Sequence, residues 1–175
     1  MISVDLNITS IVKTDEGEDK IEFFTVGSYR HTKNGWKVSY DENGGIGYEN
    51  CSVSITAKGD LAYIERTGEA ASTLSIEKNV KHHCIYGTPF GDFTMGINTY
   101  DVVNTLSENG GRLWFKYSID INADFVSENE MEILITPSDT KRERPELNGS
   151  SASGQWDEDI ADMLCEDSGN GKSAE

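Results

Sequence analysis

Three adjacent residues, His82, His83 and Cys84, have side chains that could bind a metal or activate a nucleophile. Imidazole and thiolate are both zinc ligands, and nucleophilic catalysis pairs a cysteine with a histidine. The surrounding residues predict a strand, in which His82 and Cys84 share one face and His83 points away. The sequence contains no Cys-x-x-Cys or His-x-x-x-His pair that would complete a metal site. We therefore interpret them as structural histidines and a core thiol, and expect no metal and no cofactor.

Arg66 is the residue that we most expect to contact a ligand. It follows Ile64 by two positions in a predicted strand, so the two side chains share a face, and a charge on a buried face is costly without a partner. A salt bridge with Glu77 or Glu65 is our first interpretation, and an anionic group of a ligand is the second. Further candidates to line the same interior are Tyr63, Tyr86, Thr94 and Tyr117.

Signatures of catalysis are missing from the rest of the chain. It has no Gly-x-Ser-x-Gly nucleophile elbow, no phosphate-binding loop and no dinucleotide fingerprint. Its 31 acidic residues guarantee chance pairs of carboxylates, but no pair stands out by an apolar neighbourhood. We therefore expect a protein that is not an enzyme.

Composition limits the partners and the compartment. The net charge of -16 argues against a nucleic-acid ligand, because binding to phosphates needs clustered Lys and Arg. The start, MISVDLNITS, lacks the basic and apolar regions of a signal peptide, and no segment has the run of about 20 apolar residues that spans a membrane. The three cysteines are odd in number and widely spaced, which favours a reducing compartment. We expect a cytoplasmic protein that binds neither nucleic acid nor membrane.

Alternation of apolar and polar residues dominates residues 1–136. The clearest stretches are Ile2 to Thr9 and Arg112 to Phe125, and the whole region reads as about eight strands, and up to ten, joined by short turns. Thr99 to Ser107 is the exception, since Val102, Val103 and Leu106 approach helical spacing and predict one short helical turn. We predict an all-β fold, an antiparallel up-and-down barrel, because closure removes exposed strand edges.

Residues 137–175 differ in composition from the predicted barrel. Residues 148–154 (NGSSASG) are typical of a flexible linker, and residues 156–165 are acidic and amphipathic. Four apolar side chains would share one face if that segment were helical: Trp156, Ile160, Met163 and Leu164. The segment is either an unstructured acidic tail, a helix that docks on a protein partner, or a helix that folds back on the barrel.

Several motifs of the predicted barrel resemble those of a known family. They are Ile64-Glu65-Arg66-Thr67-Gly68, then Leu74, Ile76 and Glu77, then Tyr86-Gly87-Thr88-Pro89-Phe90-Gly91, then Thr99, and the strand with Leu113, Phe115 and Tyr117. Between about Ile2 and Thr136 the sequence resembles the YwiB-like family, small bacterial proteins of unknown function described as calycin-type β-barrels. The resemblance implies an antiparallel barrel of the same broad architecture as lipocalins and fatty-acid-binding proteins. It implies no reaction, and a fold by itself assigns no function.

Two functional hypotheses follow from these observations. The first is a barrel that binds a small apolar or amphipathic ligand with Arg66 near the ligand's anionic group, which predicts an internal cavity of several hundred Å³. The alternative is a protein-interaction module that acts through the acidic C-terminal tail.

Overall fold

The computed structural model describes residues 1–42, 50–68, 71–88 and 91–138, except the side chains of residues 86–88 and 91–93. All regular secondary structure in these ranges is β-strand. The strands are β1 (Ile2–Thr14), β2 (Gly17–Thr32), β3 (Gly35–Glu42), β4 (Cys51–Lys58), β5 (Leu61–Thr67), β6 (Ser72–Glu77), β7 (Lys81–Thr88), β8 (Gly91–Asn104), β9 (Gly111–Ile121) and β10 (Asp124–Pro137). No helix among these residues has the length and apolar character needed to cross a membrane.

The strands form one antiparallel sheet. Consecutive strands pair from β1 to β6 and from β7 to β10, and β1 also pairs with β10 along the ladder from Val4↔Pro137 to Lys13↔Glu128. The β1–β10 ladder joins the two halves of the chain, and the right-handed twist of the sheet curls them towards each other. The result is a nearly closed barrel of ten strands, so the predicted antiparallel barrel is confirmed with the highest strand number that we expected.

The barrel wall is closed at one end of the seam between β6 and β7. Backbone N–H groups of Asn79 and Thr99 donate to the carbonyls of Thr99 and Val80 at 3.0 and 3.3 Å, which ties the β6–β7 turn to β8. Beyond this point no ladder joins β6 to β7 among the described residues. We call the opposite end, where β3 and β5 end and β4 and β6 begin, the mouth of the barrel.

The core fills the barrel away from the mouth. Alternate residues of each strand face inward, because successive strand side chains point to opposite faces. In β9, Leu113 and Phe115 have no exposed surface, and Trp36 of β3 stacks on Tyr29 of β2 with ring centroids 5.1 Å apart. The Tyr29 hydroxyl donates to the Ser107 carbonyl at 2.9 Å, which satisfies this buried phenol.

The predicted helical turn at Thr99 to Ser107 is wrong, because β8 continues as a strand to Asn104. A β-bulge shifts the β8–β9 register between Thr99 and Asp101. Because of the extra residue, the next inward side chain, Val102, comes three positions after Thr99. Val102 is 5% exposed and Thr99 is 1% exposed. Val102 and Val103, two of the residues whose spacing suggested a helix, are neighbours in β8 that pair with Phe115 and Trp114 of β9.

The strand predicted from Arg112 to Phe125 is in fact two strands. The chain reverses at Asn122 and Ala123, whose φ angles are 53° and 73°, and β10 begins at Asp124. Phe125 is 55% exposed and does not extend the inward face of β9. A two-residue turn does not interrupt the alternation of residue types, so the sequence pattern alone did not indicate the reversal.

Candidate functional site

Arg66 reaches the barrel interior at the mouth. It lies on the face of β5 that also carries Ala62, which is fully buried, and Ile64, which packs against the core. Strand alternation explains this placement, since the three residues are two positions apart. Arg66 is the last inward residue of β5, so it lies at the end of the strand that borders the mouth.

The guanidinium of Arg66 forms a salt bridge with Glu42, the last residue of β3. Its Nη2 atom lies 3.2 Å from Oε1 of Glu42, across the intervening strand β4. Side-chain exposure is 28% for Arg66 but only 5% for Glu42. The partners that we proposed from the sequence are wrong: Glu65 is exposed on the outer face of β5, and Glu77 pairs with His82 at 2.8 Å.

The second carboxylate oxygen of Glu42 is also buried. Among the described residues, no group donates a hydrogen bond to Oε2. A buried acceptor without a donor costs about 1–3 kcal/mol, and more when it is charged. Of the two carboxylate oxygens of Glu42, therefore, only Oε1 has a hydrogen-bond partner among the described residues.

Two tyrosines lie near this ion pair, Tyr40, which is buried, and Tyr117, which is partly buried. Burial raises the pKa of the Tyr40 phenol far above its ordinary value, the charge of Glu42 raises it further, and Arg66 opposes the shift. Burial raises the pKa of Tyr117 to about 12, again against the influence of Arg66. Both phenols are therefore neutral at physiological pH. They supply polar groups and apolar ring surface to the mouth without adding charge.

A cleft opens from this ion pair along the seam between β6 and β7. Its volume is about 510 Å³, within the usual range of small-molecule sites. Its walls include the cationic Arg66 and the acidic Glu65, together with Ser72, His83, Cys84 and Ile85. We expected an enclosed internal cavity; the space is instead an open cleft in the barrel wall, because apolar side chains of the core fill the interior below it.

The residues that first suggested metal or thiol chemistry are separated in the structure. Nε2 of His82 contacts Oε2 of Glu77, and His83 is exposed at the edge of the cleft. Burial raises the pKa of the Cys84 thiol, opposed by a backbone hydrogen bond, so the thiol is less nucleophilic than an exposed one. No group of three His, Cys, Asp or Glu side chains in the described ranges is arranged to hold a metal ion.

The structure places the other predicted site residues in three different environments. Tyr117 packs against the core close to Arg66, as a residue of the interior. Tyr63 and Thr94 do not line the interior: each is exposed and directly precedes an inward residue, Ile64 or Met95, so alternation turns it outward. The side chain of Tyr86 and the four tail residues Trp156, Ile160, Met163 and Leu164 lie outside the described part of the structure.

Sequence reasoning missed Glu42 and Tyr40. The signal was present, because Val38, Tyr40 and Glu42 occupy alternate positions of one strand and therefore share the face of a core valine. A carboxylate at the end of such a series is the partner that an inward arginine on a nearby strand requires.

Comparison with known proteins gives a family and a fold. A family model described as a domain of unknown function, DUF1934, matches residues 6–133. None of the curated proteins matches the chain. The crystal structure of the ywiB protein from Bacillus subtilis is similar with a TM-score of 0.70 and 19% sequence identity, over 79% of this chain and 93% of that chain. At this identity the likeness concerns the fold. The chain therefore belongs to the DUF1934 family, the uncharacterised YwiB-like proteins, and has their antiparallel barrel.

Proposed function

We propose that the protein is a non-enzymatic barrel that binds a small amphipathic ligand in the cleft between β6 and β7. Arg66 contacts an anionic group of this ligand. The observation that carries the proposal is a guanidinium at the head of a cleft of about 510 Å³, held there by a buried carboxylate. Arginine is suited to this role because its five N–H donors form a rigid, permanently charged fork.

Glu42 is the positioning residue in this arrangement. Its carboxylate fixes Nη2 of Arg66, which orders the long side chain before a ligand arrives and lowers the entropy lost on binding. The same negative charge is close enough to repel an anion. Glu42 therefore improves the placement of Arg66 and weakens its attraction for anions at the same time.

The apolar part of the ligand would lie on Ile85 and Cys84. Ile85 is an aliphatic side chain on the outer side of the cleft and is 68% exposed, while the half-buried Cys84 thiol lines the cleft from the inner face of β7. Covering such a side chain contributes about 25 cal/mol for each Å² removed from water. An amphipathic molecule matches this combination of one charged end and one apolar wall.

The state of the titratable groups supports binding rather than catalysis. The pKa values of the Cys84 thiol and the Tyr117 phenol are raised, so both groups are protonated and neither is an activated nucleophile or base at neutral pH.

Native mass spectrometry of freshly purified full-length protein, followed by titration with anilinonaphthalene sulfonate, tests the proposal. This probe is an anionic amphipath whose fluorescence rises in apolar sites. Removing Arg66 alone leaves Glu42 without its partner, so the informative variant is the neutral pair Glu42→Gln/Arg66→Gln. We expect it to lower affinity for the probe about tenfold, which corresponds to one charge-assisted hydrogen bond.

Two controls make this result specific. Arg112→Gln removes an arginine that is 41% exposed on the outer wall, and we expect it to leave affinity unchanged. Glu42→Gln alone removes the competing negative charge, and we expect tighter binding. Equal affinity of the wild type and the neutral pair, together with a mass spectrum of the bare chain, would overturn the proposal.

A further inference from the structure

The outer face of β2, β1 and β10 carries an exposed apolar cluster. Phe24, Val26 and Leu134 are 61%, 58% and 38% exposed, and we call these three residues the apolar patch. Phe24 and Leu134 both pair with Asn7, so they flank β1 on either side, and Val26 is the next outward residue of β2. Asn7 separates Phe24 from Leu134, so the three side chains gather around one polar residue. Apolar side chains gathered on one face of a folded domain often mark an interaction surface.

The residue at the centre of the apolar patch, Asn7, is partly buried. Oδ1 of Asn7, between Phe24 and Leu134, is covered by its surroundings and accepts no hydrogen bond from the described residues. This single oxygen atom has therefore already lost its contact with water. A docking segment would gain apolar contact there at little further cost in desolvation.

A small positive region borders the patch on the same face. Arg30 follows Val26 by four positions on β2, and it pairs directly with Lys37 of β3. Neither Arg30 nor Lys37 forms a salt bridge with a described carboxylate. Because two like charges directly opposite one another in a sheet repel, a negative charge placed near them would be stabilising. On a chain of net charge -16, this cationic pair is available to an acidic partner.

The chain leaves the barrel beside the patch. The backbone N–H of Ser138 donates to the Ser3 carbonyl at 3.1 Å, and its hydroxyl donates to Oδ1 of Asp5 at 2.7 Å. Asp5 pairs directly with Val26, so the last described residue of the chain lies one strand away from the patch. Ser138 is four positions beyond Leu134 and directly follows the end of β10, a distance of about 13 Å along an extended chain.

The sequence that follows contains a segment of matching character. Residues 156–165 (WDEDIADMLC) place Trp156, Ile160, Met163 and Leu164 at helical spacing, with four acidic residues between them. Residues 139–155 connect this segment to the barrel, and a flexible linker of that length has a typical end-to-end distance of about 20–25 Å. The linker is therefore long enough to reverse direction and reach the patch.

We propose that residues 156–165 of the same chain dock on the apolar patch. The apolar side chains of the segment cover Phe24, Val26 and Leu134, and its acidic residues face Arg30 and Lys37. Apolar surface meets apolar surface, and the acidic residues of the segment are opposite in charge to Arg30 and Lys37. Acidic residues of the barrel also border the patch, and they already have partners: Asp5 with Ser138, Glu22 with Lys20 and Glu132 with Arg112. The tether favours this occupant over a second copy of the chain, because a short flexible linker gives an effective concentration in the millimolar range.

Disulfide trapping in the full-length protein tests the proposal, because Cys165 ends the docking segment. Val26→Cys introduces a thiol at the patch, and Tyr63→Cys introduces one at a 44% exposed position on the outer face of β5, away from the patch. Cys51 and Cys84 are the same in both variants. With oxidised glutathione, we expect the bond to Cys165 to form about tenfold faster in Val26→Cys, reflecting the raised local concentration of a docked segment.

Three outcomes decide the matter. Adding Ile160→Asp, which places a charge on the docking face, should abolish the difference in rate. Equal rates in Val26→Cys and Tyr63→Cys would overturn the proposal. Disulfide-linked dimers of the Val26→Cys chain in place of the intramolecular bond would overturn it in favour of a second copy as occupant.

Hydrogen exchange gives an independent readout without engineered thiols. In the unmodified chain we expect slowed amide exchange across residues 156–165, and Val26→Asp should restore fast exchange because it places a charge in the patch. Val26 is exposed, so this substitution leaves the folded core intact. Identical exchange of the segment in the two proteins would contradict docking at this face.

Discussion

Replacing Arg66 with methionine would test how much the ion pair at the mouth depends on both partners. The side chain of Glu42 is 5% exposed, so its carboxylate cannot turn to water when Arg66 is lost. Removing one partner of a buried pair costs about 3–5 kcal/mol, because the remaining charge stays buried. Arg66 is 28% exposed and the pair lies near solvent, so we expect the lower end, about 3 kcal/mol.

The reverse substitution should cost less. In Glu42→Leu, the guanidinium of Arg66 can turn toward water in the cleft, and we expect a loss of about 1 kcal/mol. The double variant Glu42→Leu/Arg66→Met removes both charges and fills the space with apolar atoms. It should lie within about 1 kcal/mol of the wild type, since apolar replacements of whole buried pairs are often neutral.

Urea denaturation followed by circular dichroism measures these differences. The slope m should be the same for all four proteins, so that shifts of the midpoint report stability. The predicted coupling energy between the two sites is about 3 kcal/mol or more. Equal destabilisation by Arg66→Met and Glu42→Leu would show that the unequal burial of the two charges does not determine the cost of losing a partner. A coupling energy close to zero would show that the two charges do not stabilise each other.

Two further predictions concern the rest of the barrel. The pKa of Tyr117 is raised from 10.0 to about 12 in the folded protein, so the unfolded chain releases this proton at a lower pH. The folded protein should therefore lose stability as the pH rises from 10 to about 12. Urea midpoints at alkaline pH should show a smaller loss in Tyr117→Phe. Gly35 has a φ of +117° and an added Cβ would overlap the Ala57 carbonyl oxygen, whereas Gly59, at +56°, has no atom within 4 Å. We expect Gly35→Ala to cost more than about 3 kcal/mol and Gly59→Ala about 1 kcal/mol; equal thermal midpoints would contradict the overlap.

The barrel could be predicted from sequence because strand alternation is a local signal. From Ile2 to Thr9 the sequence alternates apolar and polar residues, which predicts a strand with one buried face. The structure buries Val4, Leu6 and Ile8 of β1. Short turns between such strands permit only neighbours in sequence to pair, which is a meander. Two local features were predicted wrongly. The stretch after Thr99 was predicted as a helical turn and is a bulged strand, and the turn at Asn122 was missed because it does not interrupt the alternation of residue types.

The candidate site was predicted only in part, because the partner of a buried charge can lie on a strand that is distant in sequence. Alternation placed Arg66 on the inner face of its strand, but the nearby acids in sequence, Glu65 and Glu77, point elsewhere. Glu42 is 24 positions away and meets Arg66 across β4. Strand register determines this meeting, and register depends on the whole sheet.

By itself the sequence determined the class of fold, the acidic charge and the inward position of Arg66, since all three follow from composition and a period of two. Tertiary structure decided that the barrel stays open along β6 and β7, that the resulting cleft meets the Arg66–Glu42 pair, and that Phe24, Val26 and Leu134 gather on one outer face. Each of these depends on how ten strands curl and align, which no single stretch of residues encodes.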